Sequence, residues 1–320
     1  MFRILSLDGG GIKGAFTASV LSNLENATGQ SVAEHFDLIA GTSTGGLIAV
    51  GLGLGFSADE LLQFYQLKGP KIFPSTGTLV KSRGIWRQLW GAKHSHTPLR
   101  QALIEVLGDR KFGDSKVRLV IPTYDAIAGR IFLLKTAHHD RFKHDINASA
   151  VDVAMATSAA PTYFQAASFP EHGHASYVDG GVWANNPTLV GIVEAVSFLN
   201  IDLKAIDVLS IGTTTQPFNI AKHKDSGALK WNRGIVDLMF QGQTEASLKQ
   251  SSLLVDGRVH RIDATVESGR FSLDSATNEN ISELVELGRG EALKKDNLSV
   301  VKERFLNGEQ AEKFRPIHGL

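Results

Sequence analysis

The chain has 320 residues, with 33 Lys or Arg balanced by 33 Asp or Glu, and no cysteine. The zero formal charge gives no reason to expect a nucleic-acid polymer as partner. The absent thiols exclude disulfides, cysteine nucleophiles and thiolate metal sites, and fit a reducing compartment.

Short apolar runs alternate with helical periodicity, the pattern of a mostly parallel α/β sheet. Phe2 to Leu7 reads as a first strand that runs into Asp8-Gly9-Gly10-Gly11. This start lacks the cationic region, longer apolar stretch and small-residue cleavage site of a secretory signal. Phe16, Val20, Leu24 and Ala27 then mark a helix that Gly29 would close. Phe36 to Ala40 is a second strand, with a second helix from Gly46. Around residues 70–96 the rhythm breaks and Gly, Pro, Lys and Arg accumulate, which marks an insertion or lid. Val117 to Ile121 and Ile131 to Leu134 are further strands, and an Ala-rich helix between Ser149 and Ala160 is stopped by Pro161. Ile206 to Ile211 is another buried strand, and Ile281 to Leu293 an amphipathic helix. No repeat or low-complexity tract interrupts this order. One domain over residues 1–300 and a short tail over residues 301–320 are expected.

Three motifs carry chemistry. Gly41-Thr42-Ser43-Thr44-Gly45 lies between an apolar strand and an apolar helix. A serine on such a turn needs strained dihedrals, and small neighbours remove the clashes that would forbid it. The geometry lifts Oγ to a helix N-terminus, where developing negative charge is favoured. The second motif, Gly9-Gly10-Gly11-Ile12-Lys13-Gly14, has the literal form of a dinucleotide-binding fingerprint. That reading requires an acidic residue about 20 positions on, at the end of the second strand. The strand instead ends in Ala40-Gly41-Thr42-Ser43, with Asp37 at its start. The alternative is an oxyanion hole, with the N–H groups of Gly10 and Gly11 converging on an acyl oxygen and Lys13 supporting the loop or the anion. The third motif is Asp179-Gly180-Gly181. Taken alone, such an aspartate is an ordinary turn residue. A Ser-Asp-His esterase would need His223, His260 or His318, and none has a loop signature that recommends it.

Together and in this order, the motifs resemble the patatin-like phospholipase family. Asp8-Gly-Gly-Gly-Ile-Lys-Gly14 is similar to its oxyanion-hole motif, Gly41-Thr-Ser-Thr-Gly45 to its nucleophile motif and Asp179-Gly-Gly181 to its aspartate motif. Ala156 to Phe164, Asn185-Asn186-Pro187 and Ser210 to Thr213 resemble its accessory blocks. The resemblance implies a three-layer α/β/α fold with a mostly parallel central sheet and a phospholipase A activity through a Ser43–Asp179 dyad. No cofactor or metal is implied. Residues Phe2 to Gly14, His35 to Gly55 and Gly69 to Pro74 look most like bacterial members activated by a cyclic dinucleotide such as cGAMP in anti-phage defence. The physical difficulty is driving force, because an unperturbed aspartate with a pKa of about 3.9 is a weak base for a hydroxyl. Such a dyad requires a desolvated carboxylate, close Oγ contact and a strong oxyanion hole.

The expected partners are phospholipid at a membrane surface, a cyclic dinucleotide and a second copy of the chain, in the cytoplasm or at its membrane face. Trp86 and Trp90, flanked by Lys81, Arg83, Arg87 and Lys93, are candidates for lipid contact, with inward packing as the alternative. His138-His139-Asp140, His172 and His174 match no common zinc spacing and read as loop residues. The competing class is a non-catalytic nucleotide- or lipid-binding protein on the same fold.

Overall fold

The computed structural model describes residues 1–72, 96–161, 163–217 and 228–318. The strands are β1 (Phe2–Leu7), β2 (Leu38–Gly41), β3 (Arg118–Asp125), β4 (Arg130–Lys135), β5 (Tyr177–Asp179), β6 (Ile206–Ile211) and β7 (Val259–Ile262). They form one sheet in the order β4-β3-β2-β1-β6-β7, with β5 added beside β3. The five strands from β3 to β7 in that order are parallel, and β4 and β5 run antiparallel on β3.

Side chains alternate across the central strands, so β1 sends Leu5 and Leu7 into one apolar layer and Ile4 into the other. The first layer is covered by α1 (Gly14–Thr28), α2 (Thr44–Gly53), α3 (Ala58–Ile72), α4 (His96–Leu107) and α5 (Ala150–Thr157). After the single turn α6 (Gly181–Ala184), helix α7 (Thr188–Leu199) covers the opposite layer, where Ile192 and Ala195 meet Ile4, Leu38 and Val208. Helices on both faces make the three-layer α/β/α architecture. The chain continues with α8 (Ala228–Leu254), then α9 (Asn278–Leu293), which packs beside α1, and α10 (Lys295–Arg304). Beyond α10 the chain runs back over the body: Phe305 stacks on Phe36 at 5.8 Å, and the Ala311 N–H donates to the Glu34 carbonyl.

Most expected elements are present, with informative shifts. α2 begins at Thr44, two residues before the expected Gly46, because Ser43 adopts φ 54° and turns the chain directly into the helix. β3 runs four residues past Ile121 and through Pro122. A proline is tolerated there because β2 pairs only with residues up to Val120 and β5 only from Thr123, so no ladder partner on that side needs its N–H. Asp179, expected on a loop, is the last residue of a strand. Of the expected insertion over residues 70–96, α3 takes the first turn as far as Ile72, and residues 73–95, including Trp86 and Trp90, lie outside the described residues.

Candidate active site

Two strands bring Ser43 and Asp179 together along one side of β3. β2 runs parallel to β3 and leaves it after Ala40 pairs with Val120; Ser43 follows on the tight turn into α2. β5 approaches from the opposite direction and ends where Asp179 pairs with Thr123. The two chain ends therefore face each other across the gap at Ile121 and Pro122. Ser43 Oγ donates a 2.6 Å hydrogen bond to Asp179 Oδ2. The second carboxylate oxygen accepts from the Gly181 N–H at 2.7 Å. Gly180 makes this turn possible by lying flat against the Pro122 carbonyl, where any side chain would collide.

The elbow is held from several directions. The Ser43 N–H donates to Thr157 Oγ1 at 2.9 Å, and that hydroxyl donates onward to the Pro122 carbonyl at 2.7 Å. Thr42 Oγ1 donates to the Ala184 carbonyl at 2.6 Å, and Thr44 Oγ1 hydrogen-bonds the Tyr65 hydroxyl. Gly41 and Gly45 allow the backbones to close: a Cβ on Gly45 would strike the Leu7 carbonyl, and one on Gly41 the Gly45 carbonyl. Ser43 is the only one of these five residues with positive φ, a strain of order 1–3 kcal/mol that the surrounding bonds must hold.

Beside Ser43 runs the loop after β1. Its Gly9 N–H donates to the Asn185 carbonyl at 2.9 Å and its Ile12 N–H to the Leu273 carbonyl at 3.0 Å. Between them, the N–H groups of Gly10 and Gly11 have no hydrogen-bond partner among the described residues, and both residues line the same cavity as Ser43. Gly11 needs its φ of 57° and would meet the Leu273 carbonyl if it carried a side chain. Lys13 Nζ donates to the Thr214 carbonyl at 3.3 Å, in the wall of the cavity. Gly14 does not reach the cavity; it is the buried first residue of α1, pressed against Thr44 and Tyr65.

The base of this loop rests on a polar network that the motifs alone do not reveal. Asp8 is buried and accepts from Arg261 Nη2 at 2.7 Å and from Asn186 Nδ2 at 2.7 Å. Arg261 also donates to Asp263 and to Ser210 Oγ. Burial raises the Asp8 pKa, and the Arg261 guanidinium pulls against it. Thr213 Oγ1 donates to the Gly9 carbonyl at 2.9 Å. The accessory blocks thus have physical roles: Thr157 holds the elbow, while Asn185, Asn186, Ser210 and Thr213 hold the glycine loop. Arg261 was hidden in the sequence by its place in an ordinary strand pattern, with no motif around it.

Among the described residues, no histidine hydrogen-bonds Ser43 or Asp179. His260 sits on β7 against Asn297, His318 reaches the Asp140 carbonyl, and His223 lies outside the described residues. His138 is engaged with Thr136 and Glu194, and His172 with Tyr177 and Asp145.

Asp179 is only 5% exposed. Burial pushes its pKa up to about 6, with the Ser43 and Gly181 hydrogen bonds opposing the rise. This is the direction that strengthens a carboxylate as a base near neutral pH. Above the pair opens a cavity of about 860 Å³. Ile12, Leu47, Phe64, Ile72, Leu99 and Phe164 give it an apolar wall, and Gln216, Gln243, Glu245 and Arg261 a polar one. Its amphipathic lining suits a molecule with an apolar chain and a polar end.

The fold and site define an α/β protein with a buried serine–aspartate pair beside a glycine loop whose Gly10 and Gly11 N–H groups are unpaired among the described residues. The family model described as "Patatin-like phospholipase" matches residues 5–192, and the chain belongs to that family. It is 37% identical over 245 residues to a "cGAMP-activated phospholipase" of Pseudomonas aeruginosa, covering 76% of this chain and 72% of that one. A protein of the same description from Vibrio cholerae is 31% identical over 317 residues, 90% of this chain and 89% of the relative. "Patatin-like protein 2" of Oryza sativa subsp. indica is 32% identical, over 90% of this chain and 83% of its own length.

Proposed function

We propose that this chain hydrolyses acyl esters of membrane phospholipids, with Ser43 as nucleophile and Asp179 as general base. The observation that carries the reading is the 2.6 Å hydrogen bond from Ser43 Oγ to a buried carboxylate at the floor of an amphipathic cavity. Ser43 Oγ attacks the acyl carbonyl carbon while its proton passes to Asp179 Oδ2. The N–H groups of Gly10 and Gly11 receive the oxyanion, and the dipole of α2 adds to their field. Collapse breaks the ester bond, and Asp179 returns the proton to the leaving alkoxide, releasing a lysophospholipid. Water then attacks the acyl-serine and gives its proton to Asp179; the acyl–Oγ bond breaks, Asp179 passes that proton to Ser43 Oγ, and the fatty acid leaves. The Gly10 and Gly11 N–H groups, unpaired among the described residues, and the raised Asp179 pKa support this sequence, in which no step calls on a histidine.

The test is hydrolysis of phospholipid and of a soluble p-nitrophenyl ester by wild type, Ser43→Ala and Asp179→Asn. Each substitution is expected to lower turnover by at least about a thousandfold, and Ser43→Ala to abolish labelling by a fluorophosphonate. Full labelling of the Ser43→Ala variant would sink the assignment.

The printed descriptions of the two bacterial relatives motivate a second element: a cyclic dinucleotide raises turnover of this chain as well. Turnover is expected to rise with added cGAMP, and a rate that stays flat across micromolar activator ends that element. No helix among the described residues is long and apolar enough to cross a membrane. As a separate element of the proposal, the protein meets its substrate as a peripheral visitor at the cytoplasmic membrane face.

A further inference from the structure

The geometry points to the β3–β4 hairpin tip as the element that inserts into a lipid surface and sets the cavity mouth against it. This inference rests on the lipid-hydrolase reading above for its choice of partner. Residues 126–131, Ala126-Ile127-Ala128-Gly129-Arg130-Ile131, are all exposed. Ile127 is 72% and Ile131 55% exposed, so two large aliphatic side chains stand in water within five positions. Isolated exposed aliphatics are ordinary, but a run whose other members are two alanines, a glycine and one arginine is an apolar point.

Position makes the tip relevant to the site. Thr123 pairs with Asp179, and β3 then runs on through Asp125 before the turn. Asp125, the last strand residue, therefore lies about 7 Å beyond the Asp179 level at 3.3 Å per residue, and the turn over residues 126–129 follows it. The parallel strands β1 and β2 end on the same side, at the glycine loop and at Ser43, so the tip projects from the end of the sheet that carries the cavity. Met239, 56% exposed, also lines that cavity and adds a second apolar point to its rim.

Two further features favour lipid over a protein partner. Insertion into an apolar phase requires that backbone groups be satisfied internally. Here buried Asp125 does this for two N–H groups of the tip, its Oδ1 accepting from Ile127 and Ala128 at 3.1 Å each. The exposed run carries one charge, the cation Arg130, and no acid, which complements an anionic headgroup layer.

The test uses the full chain in a Ser43→Ala background, with vesicles of equal parts phosphatidylethanolamine and phosphatidylglycerol. Ile127→Ser/Ile131→Ser is expected to weaken vesicle co-sedimentation by about tenfold or more. With Ser43 restored, the same pair is expected to lower vesicle hydrolysis while leaving soluble p-nitrophenyl ester turnover unchanged. As a gain-of-signal control, Ile127→Trp is expected to bind at least as well as wild type and to shift its added emission to the blue on mixing with vesicles. Vesicle binding equal to wild type in the double variant, or no blue shift at position 127, would overturn the inference. A chain that binds vesicles through the tip yet cleaves no ester would instead remove the functional reading and leave the tip standing.

Discussion

Replacing Asp179 by asparagine separates the catalytic role proposed for the buried carboxylate from what its burial costs the fold. The folded pKa is raised from 3.8 to about 6, chiefly by desolvation. Below about pH 3 the carboxyl is largely protonated in folded and unfolded chains alike, and the burial penalty is small. As pH rises through the folded pKa, the folded state must hold a buried charge that the unfolded chain solvates freely. Stability is therefore present at low pH and lost toward pH 6 and above. Two pKa units amount to about 3 kcal/mol, of which roughly 2.5 kcal/mol appears between pH 4 and pH 8. Asparagine does not titrate, so the variant's stability advantage over wild type is expected to grow by that amount from pH 4 to pH 8. For a chain of this length that is a relative Tm gain of roughly 3–4 °C. The assay is thermal unfolding of both proteins across the pH series, read as the difference between them at each pH, beside loss of esterase activity. A difference that stays flat, or shrinks as pH rises, would refute the claim that Asp179 is desolvated and ionised late.

The same shift predicts an acid limb in kcat/KM near pH 6, because the proposed base must be deprotonated; a profile still flat at pH 5 would contradict it. The Ser43 hydrogen bond holds the Asp179 pKa down, so Ser43→Ala is expected to move the titration of that carboxyl upward, measurable by carboxyl-sensitive difference spectroscopy. Thr157→Val removes the acceptor of the Ser43 N–H and the donor to the Pro122 carbonyl, leaving two buried groups unpaired. About 2–4 kcal/mol of stability and most of the turnover are expected to be lost, checked by denaturation and ester assay. Arg261→Met leaves Asp8 buried without its cation. A cost of about 3–5 kcal/mol is expected, with kcat falling more than KM rises as the glycine loop loosens, a split that steady-state kinetics would show.

Much of this protein is legible in its sequence because the deciding signals are local. The run Phe2 to Leu7 can only be a buried strand, Gly29 can close α1 because a residue without Cβ accepts φ 68°, and Gly41 and Gly45 announce a turn too tight for side chains. The order of the three motifs named the family, which the comparisons bear out. Tertiary structure decided what depends on residues distant in the chain. Ser43 and Asp179 are 136 positions apart, and only the convergence of β2 and β5 on one side of β3 puts their oxygens in contact. Arg261 reaches Asp8 across 253 positions because β6 pairs with both β1 and β7 and so sets their ends one strand apart. The pKa of Asp179 is likewise absent from the local sequence, since desolvation is a sum over whatever the whole fold packs around the carboxylate. Sequence sets the chemistry available at each position, and the packed sheet sets which groups meet and how dry they are when they do.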